Sequence, residues 1–312
     1  MTAAPTRRCS VESFNPKLIL VPTDLSDPAA HALRYASALG KRLGAHLLVI
    51  YADLFLPPVD FSASAAGVFD ASRDVMAENA REELQAHAEK NIARDVPFDV
   101  RVIIDDPLDA IVAQVPESGA ELIIMGTHGR TGVRRLMFGS VTEGTIRIAP
   151  VPVIAVNKHT SESPDVTKVL SPITFTPASR DALRYAAALT VGHEDAPLVV
   201  LRNVDDDDAQ MGAHQLARLE AWLPAELAKR CELKLVGGED PSEQIVHLAK
   251  VMKADLIAFG IPAGRSIADS LRGTIAERVV QHSECPVLTV NAYAARVLPA
   301  KVVEERELVA AG

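Results

Sequence analysis

The spacing of apolar residues along the chain switches between two periods, and the switches mark out the elements. From Lys17 to Val21 the run is nearly continuous, as in a strand buried on both faces of a parallel sheet. Ser26 then stands where a hydroxyl caps a helix, and Pro28 falls in the first turn, where a missing N–H costs little. Leu33, Ala36, Leu39 and Leu43 follow at helical spacing. His46 to Tyr51 reads as a second strand, Asp70 to about Arg94 as a long polar helix, and Phe98 to Ile104 as an alternating third strand. Asp106-Pro107 opens another helix, ending near Ser118-Gly119, and Glu121 to Met125 is a fourth strand. A glycine-bearing loop, a helix from Gly139 to about Ile148 and the strand Val151–Val156 complete the series.

The series occurs twice. Leu33-Arg34-Tyr35-Ala36 returns as Leu183-Arg184-Tyr185-Ala186, an offset of 150, and Leu20-Val21-Pro22 returns as Leu170-Ser171-Pro172. Further on the offset falls to 134: Asp106-Pro107 matches Asp240-Pro241, Gly126 matches Gly260, Gly139-Ser140 matches Gly273-Thr274, and Pro152-Val153 matches Pro286-Val287. Ordered matches over two whole halves define an internal repeat. The lower offset puts an insertion in the first copy, within Leu54–Phe69, where Pro57-Pro58 and a Ser/Ala/Gly run break regular structure. The polar stretch His159–Asp165 reads as a short linker. The expected organisation is a lead-in over 1–14, a first domain over 15–158, a second over 166–293 and a tail over 294–312. Strands alternating with helices, joined by right-handed crossovers, give two tandem doubly wound parallel-sheet α/β domains, Rossmann-like in class. Ligands in such sheets bind beyond the carboxyl ends of the strands, which directs attention to the loops after Val21 and Met125.

Composition narrows the partners. With 312 residues, two domains of ordinary size fit, and 48% hydrophobic residues supply a core for each. A formal charge of −9 argues against nucleic acid, whose phosphates need a basic face. No apolar run has the roughly 18–20 residues of a membrane span. The N-terminus has no apolar stretch behind its arginines, so it does not read as a signal peptide. Cys9, Cys231 and Cys285 are far apart and form no C-x-x-C pair, which suits a reducing cytoplasm and offers no zinc site.

The candidate chemistry lies in Gly126-Thr127-His128-Gly129-Arg130-Thr131-Gly132, followed by Gly139-Ser140-Val141. Glycines let backbone approach a ligand closely, and a helix opening at Gly139 offers unpaired N–H groups to an anion. Ser140 adds a hydroxyl and Arg130 a charge. The same glycines could simply make a tight turn. No Gly-Lys-Ser/Thr follows, so this is not a Walker loop, and it is not the dinucleotide fingerprint either.

Gly126-x2-Gly129-x9-Gly139-Ser140, with Pro22-Thr23-Asp24 after the first strand, resembles the ATP-binding class of universal stress proteins. The resemblance covers both halves and implies an adenine nucleotide α-hydrolase-like fold. It implies that Gly126, Gly129, Gly139, Ser140 and Val141 hold phosphate; His128 and Arg130, read from the loop itself, would stand beside it. Asp24 would meet the ribose, and Pro22, Thr23, Tyr51 and Met125 would line the base. It further implies ATP, ADP or AMP as ligand, Mg²⁺ or Mn²⁺ bridging the phosphates, and an intramolecular pseudo-dimer in which Val151–Val156 pairs edge to edge with Pro286–Val290. A further homodimer stays open. In the second copy Thr174 replaces Asp24, and Pro262-Ala263 stands where Gly129 would be matched, although Gly264 and Gly273-Thr274 remain. Nucleotide is therefore expected in the first domain only.

The expected function is that of a regulatory or stress-response nucleotide-binding protein. A slow ATPase or self-phosphorylating enzyme is the second reading. Phosphoryl transfer needs a placed nucleophile or water as well as charge clamps, and no catalytic residue stands out. A module for a non-nucleotide ligand is the third. The Asp205–Asp208 run reads as a solvated loop, Asp105-Asp106 as a helix cap, Tyr35 and Tyr185 as core or interface residues, and Trp222 as partial core.

Overall fold

The computed structural model describes residues 14–54, 66–127, 139–161, 164–190, 193, 196–203, 209–236, 240–261 and 274–292. The first half runs β1 (Leu18–Pro22), α1 (Asp27–Leu43), β2 (His46–Ala52), α2 (Ala66–Asn91), β3 (Phe98–Ile103), α3 (Pro107–Ser118), β4 (Leu122–Gly126), α4 (Ser140–Ile148) and β5 (Val153–Val156). The second runs β6 (Val169–Pro172), α5 (Pro177–Leu189), β7 (Leu198–Asn203), α6 (Ala209–Trp222), the single turn α7 (Ala225–Ala228), β8 (Cys231–Val236), α8 (Pro241–Met252), β9 (Leu256–Ile261), α9 (Ile275–His282) and β10 (Val287–Asn291).

Local chemistry sets the helix ends. In α1 the Ser26 side chain accepts from the Ala29 N–H, Pro28 occupies the first turn, Lys41 and Arg42 face the negative end of the dipole, and Gly44 closes the helix at φ 63°. Helix α2 departs from its expected span at both ends. It already includes Ala66–Phe69, which the sequence assigned to the insertion, and it stops at Asn91. Beyond that point the chain is drawn onto α1, because the Ala93 N–H donates to Ser37 Oγ at 2.9 Å. Residues 55–65 of the insertion lie outside the described residues.

Each half orders its strands 3-2-1-4-5 in the parallel sense, and the two sets fuse as β3-β2-β1-β4-β5-β10-β9-β6-β7-β8. The join is antiparallel, with Val287 opposite Ala155, Leu288 opposite Ile154 and Thr289 opposite Val153. Helices α1, α2, α5 and α6 cover one face; α3, α4, α8 and α9 cover the other. Both cores run unbroken through the two halves, so Leu33 and Leu183 share one apolar cluster with Ile154 and Leu288.

The linker is held against the first half. His31 Nε2 lies 2.9 Å from the Thr160 carbonyl, and Arg42 reaches the Pro164 carbonyl at 2.8 Å and the Asp165 carboxylate at 3.1 Å. Phe14, which the sequence placed in the lead-in, packs edge-on to Tyr185 with ring centroids 4.5 Å apart. Tyr35 is buried in the same core, and Trp222 meets Phe175 edge-on at 5.2 Å.

A core shared this way should unfold as one unit. Leu33→Ala, a deletion from a fully buried site of the first half, is expected to cost about 2–5 kcal/mol. Trp222, the single tryptophan, reports from the second half. Its urea transition should therefore move to lower denaturant in Leu33→Ala; a second-half transition left unmoved would show the halves unfolding separately.

Candidate functional site

The strand order places β1 between β2 and β4. The helix after β1 goes to one face of the sheet and the helix after β4 to the other. The carboxyl ends of these two strands therefore part and leave a crevice, the usual ligand position in a doubly wound sheet. A cleft of about 300 Å³ lies there. Pro22, Thr23 and Asp24 line it from the end of β1, Tyr51 from β2, Met125 and Gly126 from β4, and Gly139, Ser140 and Val141 from the start of α4. The fold thus gathers these sequence-selected residues at one place. His128, Gly129 and Arg130 lie outside the described residues.

Sequence reasoning missed part of the wall: Ala29, Ile50, Ala52, Asp53, Pro107, Ile111 and Thr142 also line the cleft. Most are apolar or small and carry no chemical signature. Asp53 had a usable signal, since it lies two residues beyond Tyr51 and so shares its side of the strand. The Tyr51 hydroxyl donates to its carboxylate at 3.0 Å.

The turn after β1 aims Asp24. The Thr23 N–H extends the strand ladder to the Ile50 carbonyl at 2.9 Å. Leu25 then takes a left-handed conformation, φ 65°, without being glycine, and Phe175 does the same at φ 55° in the second half. Bulky side chains enter that region only under constraint. Here the turn is fixed by Asp24 Oδ1, which accepts from the Ser26 N–H at 3.1 Å and the Ser26 hydroxyl at 2.5 Å. His87 of α2 lies close enough to Asp24 to feel its charge. Burial holds the imidazole below its ordinary pKa, with Lys90 adding to the depression, while Asp24 opposes it.

The far wall is tied at its base. Gly139 N–H donates to the Thr127 carbonyl at 3.1 Å, and Thr142 Oγ1 donates to the Gly126 carbonyl at 2.9 Å. Gly126 also sits close to α1; a Cβ there would stand 3.2 Å from the Pro28 carbonyl oxygen.

Helix α4 differs from its counterpart at its N-terminus. Its cap is Gly139, which makes no side-chain hydrogen bond. In α9 the helix begins one position later, and the Thr274 hydroxyl accepts from the Glu277 N–H at 3.2 Å. Asp106, Thr176 and Asp240 likewise cover the first amides of α3, α5 and α8. Among the described residues no side chain caps the first turn of α4, whose opening residues line the cleft with the positive end of the helix dipole behind them.

The second half also differs at the turn. Thr174 takes the place of Asp24, and its hydroxyl lies 3.0 Å from Ser179 Oγ, which in turn lies 2.9 Å from Thr176 Oγ1. A Cβ on Gly260 would stand 2.2 Å from both Ala178 C and Ser179 N, so α5 is drawn tighter onto β9 than α1 is onto β4. Pro262, Ala263 and Gly273 lie outside the described residues.

The model of the universal stress protein family matches residues 16–157 and again 166–291. The chain belongs to the universal stress protein family. A universal stress protein of Methanocaldococcus jannaschii is 31% identical over 146 residues, covering 47% of this chain and 85% of its own length. Universal stress protein E of Escherichia coli is 23% identical over 305 residues, 88% of this chain and 93% of that protein. The crystal structure of a universal stress protein from Archaeoglobus fulgidus superimposes with a TM-score of 0.63 at 21% identity, covering 89% of this chain and 99% of the other. The tandem arrangement read from the internal repeat is thus a tandem of universal stress domains, and the Rossmann-like α/β class holds.

Among the described residues no helix is long and apolar enough to cross a membrane, and no group of three or more His, Cys, Asp or Glu side chains is placed to hold a metal. Burial pushes the Cys285 thiol up to about 12 and the Cys231 thiol up to about 11, which keeps both as unreactive thiols at neutral pH.

The unequal caps give a direct test. Thr274→Ala should lower stability by about 1 kcal/mol through loss of the α9 cap. Ser140→Ala, at an exposed N1 position of α4, should stay within about 0.5 kcal/mol of the parent. Urea denaturation of both variants checks this, and equal losses would contradict the open α4 terminus.

Proposed function

We propose that this universal stress protein is a regulatory adenine-nucleotide-binding protein whose ligand, ATP, ADP or AMP, occupies the first half only. The observation that carries the reading is the α4 N-terminus, which lines the far wall of the cleft with a glycine cap that makes no side-chain hydrogen bond, while the equivalent α9 terminus is closed by Thr274. Amides without a cap at the positive end of a helix favour a phosphate chain. In this reading the amides of Ser140 and Val141 take phosphate oxygens, Gly139, whose own N–H is given to the Thr127 carbonyl, lets them approach, Gly126 lets the chain pass close to the sheet, and Asp24 accepts from the ribose hydroxyls. Pro22, Thr23, Tyr51 and Met125 enclose the base. His128, Gly129 and Arg130, in the segment between β4 and α4, complete the phosphate site. A Mg²⁺ or Mn²⁺ ion would be held chiefly by the nucleotide's own oxygens, since the described residues supply no carboxylate cluster for it.

The second half supports a one-site reading. Its ribose carboxylate is replaced by Thr174, whose hydroxyl is already engaged with Ser179. Its glycine strand end is pressed against α5. The two working units, 15–158 and 166–293, would act as an intramolecular pseudo-dimer across β5 and β10. The protein would operate in the cytoplasm, and occupancy would set conformation or partner binding rather than drive turnover. Phosphoryl transfer requires a positioned base or water alongside charge clamps, whereas the two described carboxylates that line the cleft already accept from side chains, Asp24 from Ser26 and Asp53 from Tyr51.

Thermal or chemical denaturation with ATP tests the proposal. Ligand at one hundred times its dissociation constant should add about 2.7 kcal/mol. Asp24→Ala should remove most of that gain, and Thr174→Ala should retain it. An equal gain in both variants would overturn the one-site reading. Mass spectrometry of small molecules released from gently purified protein identifies the nucleotide.

A further inference from the structure

The last strand of each half ends at an asparagine in an equivalent position, Asn157 after β5 and Asn291 at the end of β10. Both are buried, at 5% and 4% exposure. Asn291 Nδ2 donates to the Ala149 carbonyl at 2.7 Å and to the Ile146 carbonyl at 3.3 Å. Ala149 is the C-terminal cap of α4. Asn157 Nδ2 donates to the carbonyl of Ser283, the C-terminal cap of α9. Each half therefore supplies the amide that satisfies the end of the other half's last helix. Carbonyls at a buried helix end need a donor, and a donor there also complements the negative end of the dipole.

The two contacts are alike in geometry but differ in what they hold. Helix α9 has its N-terminus closed by Thr274, whereas α4 has a glycine cap and lines the cleft with its first residues. With nine residues, α4 is a rod of roughly 13 Å, gripped by the second half at one end and facing the ligand site at the other. We propose that Asn291 is a positioning residue for the phosphate-facing amides of α4, so that the second half, without binding nucleotide itself, sets the aim of the first half's site. This rests on the nucleotide reading above. The second copy thereby gains a physical role, because donors aimed at phosphate must be held to a fraction of an ångström: Gly139 and Thr142 tie the near end of α4 to the end of β4, and Asn291 holds the far end.

The symmetry supplies the control. In the full-length chain, Mg-ATP and adenosine are titrated by calorimetry into the wild type, Asn291→Ala and Asn157→Ala. Asn291→Ala should weaken ATP about tenfold and leave adenosine, which lacks the phosphates that α4 would hold, within about twofold. Asn157→Ala removes an equally buried contact across the same join and should leave both affinities unchanged. Equal weakening of ATP and adenosine, or the same ATP loss in both variants, would reduce the contact to assembly and overturn the proposal. A wild type that binds neither ligand would overturn the nucleotide reading itself; a wild type and Asn291→Ala that bind ATP equally would overturn only the positioning role. Should Asn291→Ala fail to fold, hydrogen exchange on the wild type decides. ATP should then slow exchange in α4 and in Val287–Asn291 but not in Cys231–Val236, and an unaffected Val287–Asn291 would sink the idea.

Discussion

The antiparallel pairing of β5 with β10 is the contact on which the remaining architecture depends. Each half alone would be a five-stranded parallel sheet with bare N–H and C=O groups along β5 or β10, an edge that invites uncontrolled association. Pairing the two edges satisfies both at once. It also makes the apolar layers on the two faces continuous, so that Ile154 and Leu288 lie in the same core as Leu33 and Leu183. Because the join is antiparallel, the end of each last strand arrives beside the last helix of the other half, and Asn157 and Asn291 reach the carbonyls there.

Within the first half, the cleft follows from topology and is tuned by small differences in capping. A helix that follows a strand must deal with the unpaired amides of its first turn, and a side chain does so in α1, α3, α5, α8 and α9. In α4 a glycine occupies that position and offers no side-chain acceptor. A helix terminus left open in this way is poised for an external anion. Across the crevice, the turn at Leu25 swings Asp24 back onto Ser26. This leaves the Asp24 carboxylate and the glycine-capped start of α4 lining one cavity.

The second half shows how a repeat diverges while keeping its frame. The positive φ of Leu25 persists at Phe175, and the ladder bond from Thr23 to Ile50 persists from Ile173 to Leu201. What changes is the chemistry around those fixed points. A carboxylate becomes a hydroxyl shared among Thr174, Thr176 and Ser179, and Arg202 and Arg218 stack on Phe175, 5.7 and 4.1 Å from its ring. Backbone geometry is set by pairing with neighbouring strands and resists change.

Much of this was legible in the chain itself. The alternation of strand and helix patterns and the repeat are local or periodic signals, and they determined the fold class; the spacing of Gly126, Gly139 and Ser140 pointed to the loop after β4, and the family resemblance added Pro22–Asp24, Tyr51 and Met125. The early start of α2 and its end at Asn91 were not legible, because the contact from Ala93 to Ser37 that ends it is long-range. Nor was the part of the cleft wall made by Ile50, Pro107 and Ile111, which carry no chemical mark until the strand ends converge. A sequence states which groups are available every few residues. Only the folded chain decides which carbonyl in one half an asparagine of the other half will find, because that is settled by packing between residues more than a hundred positions apart.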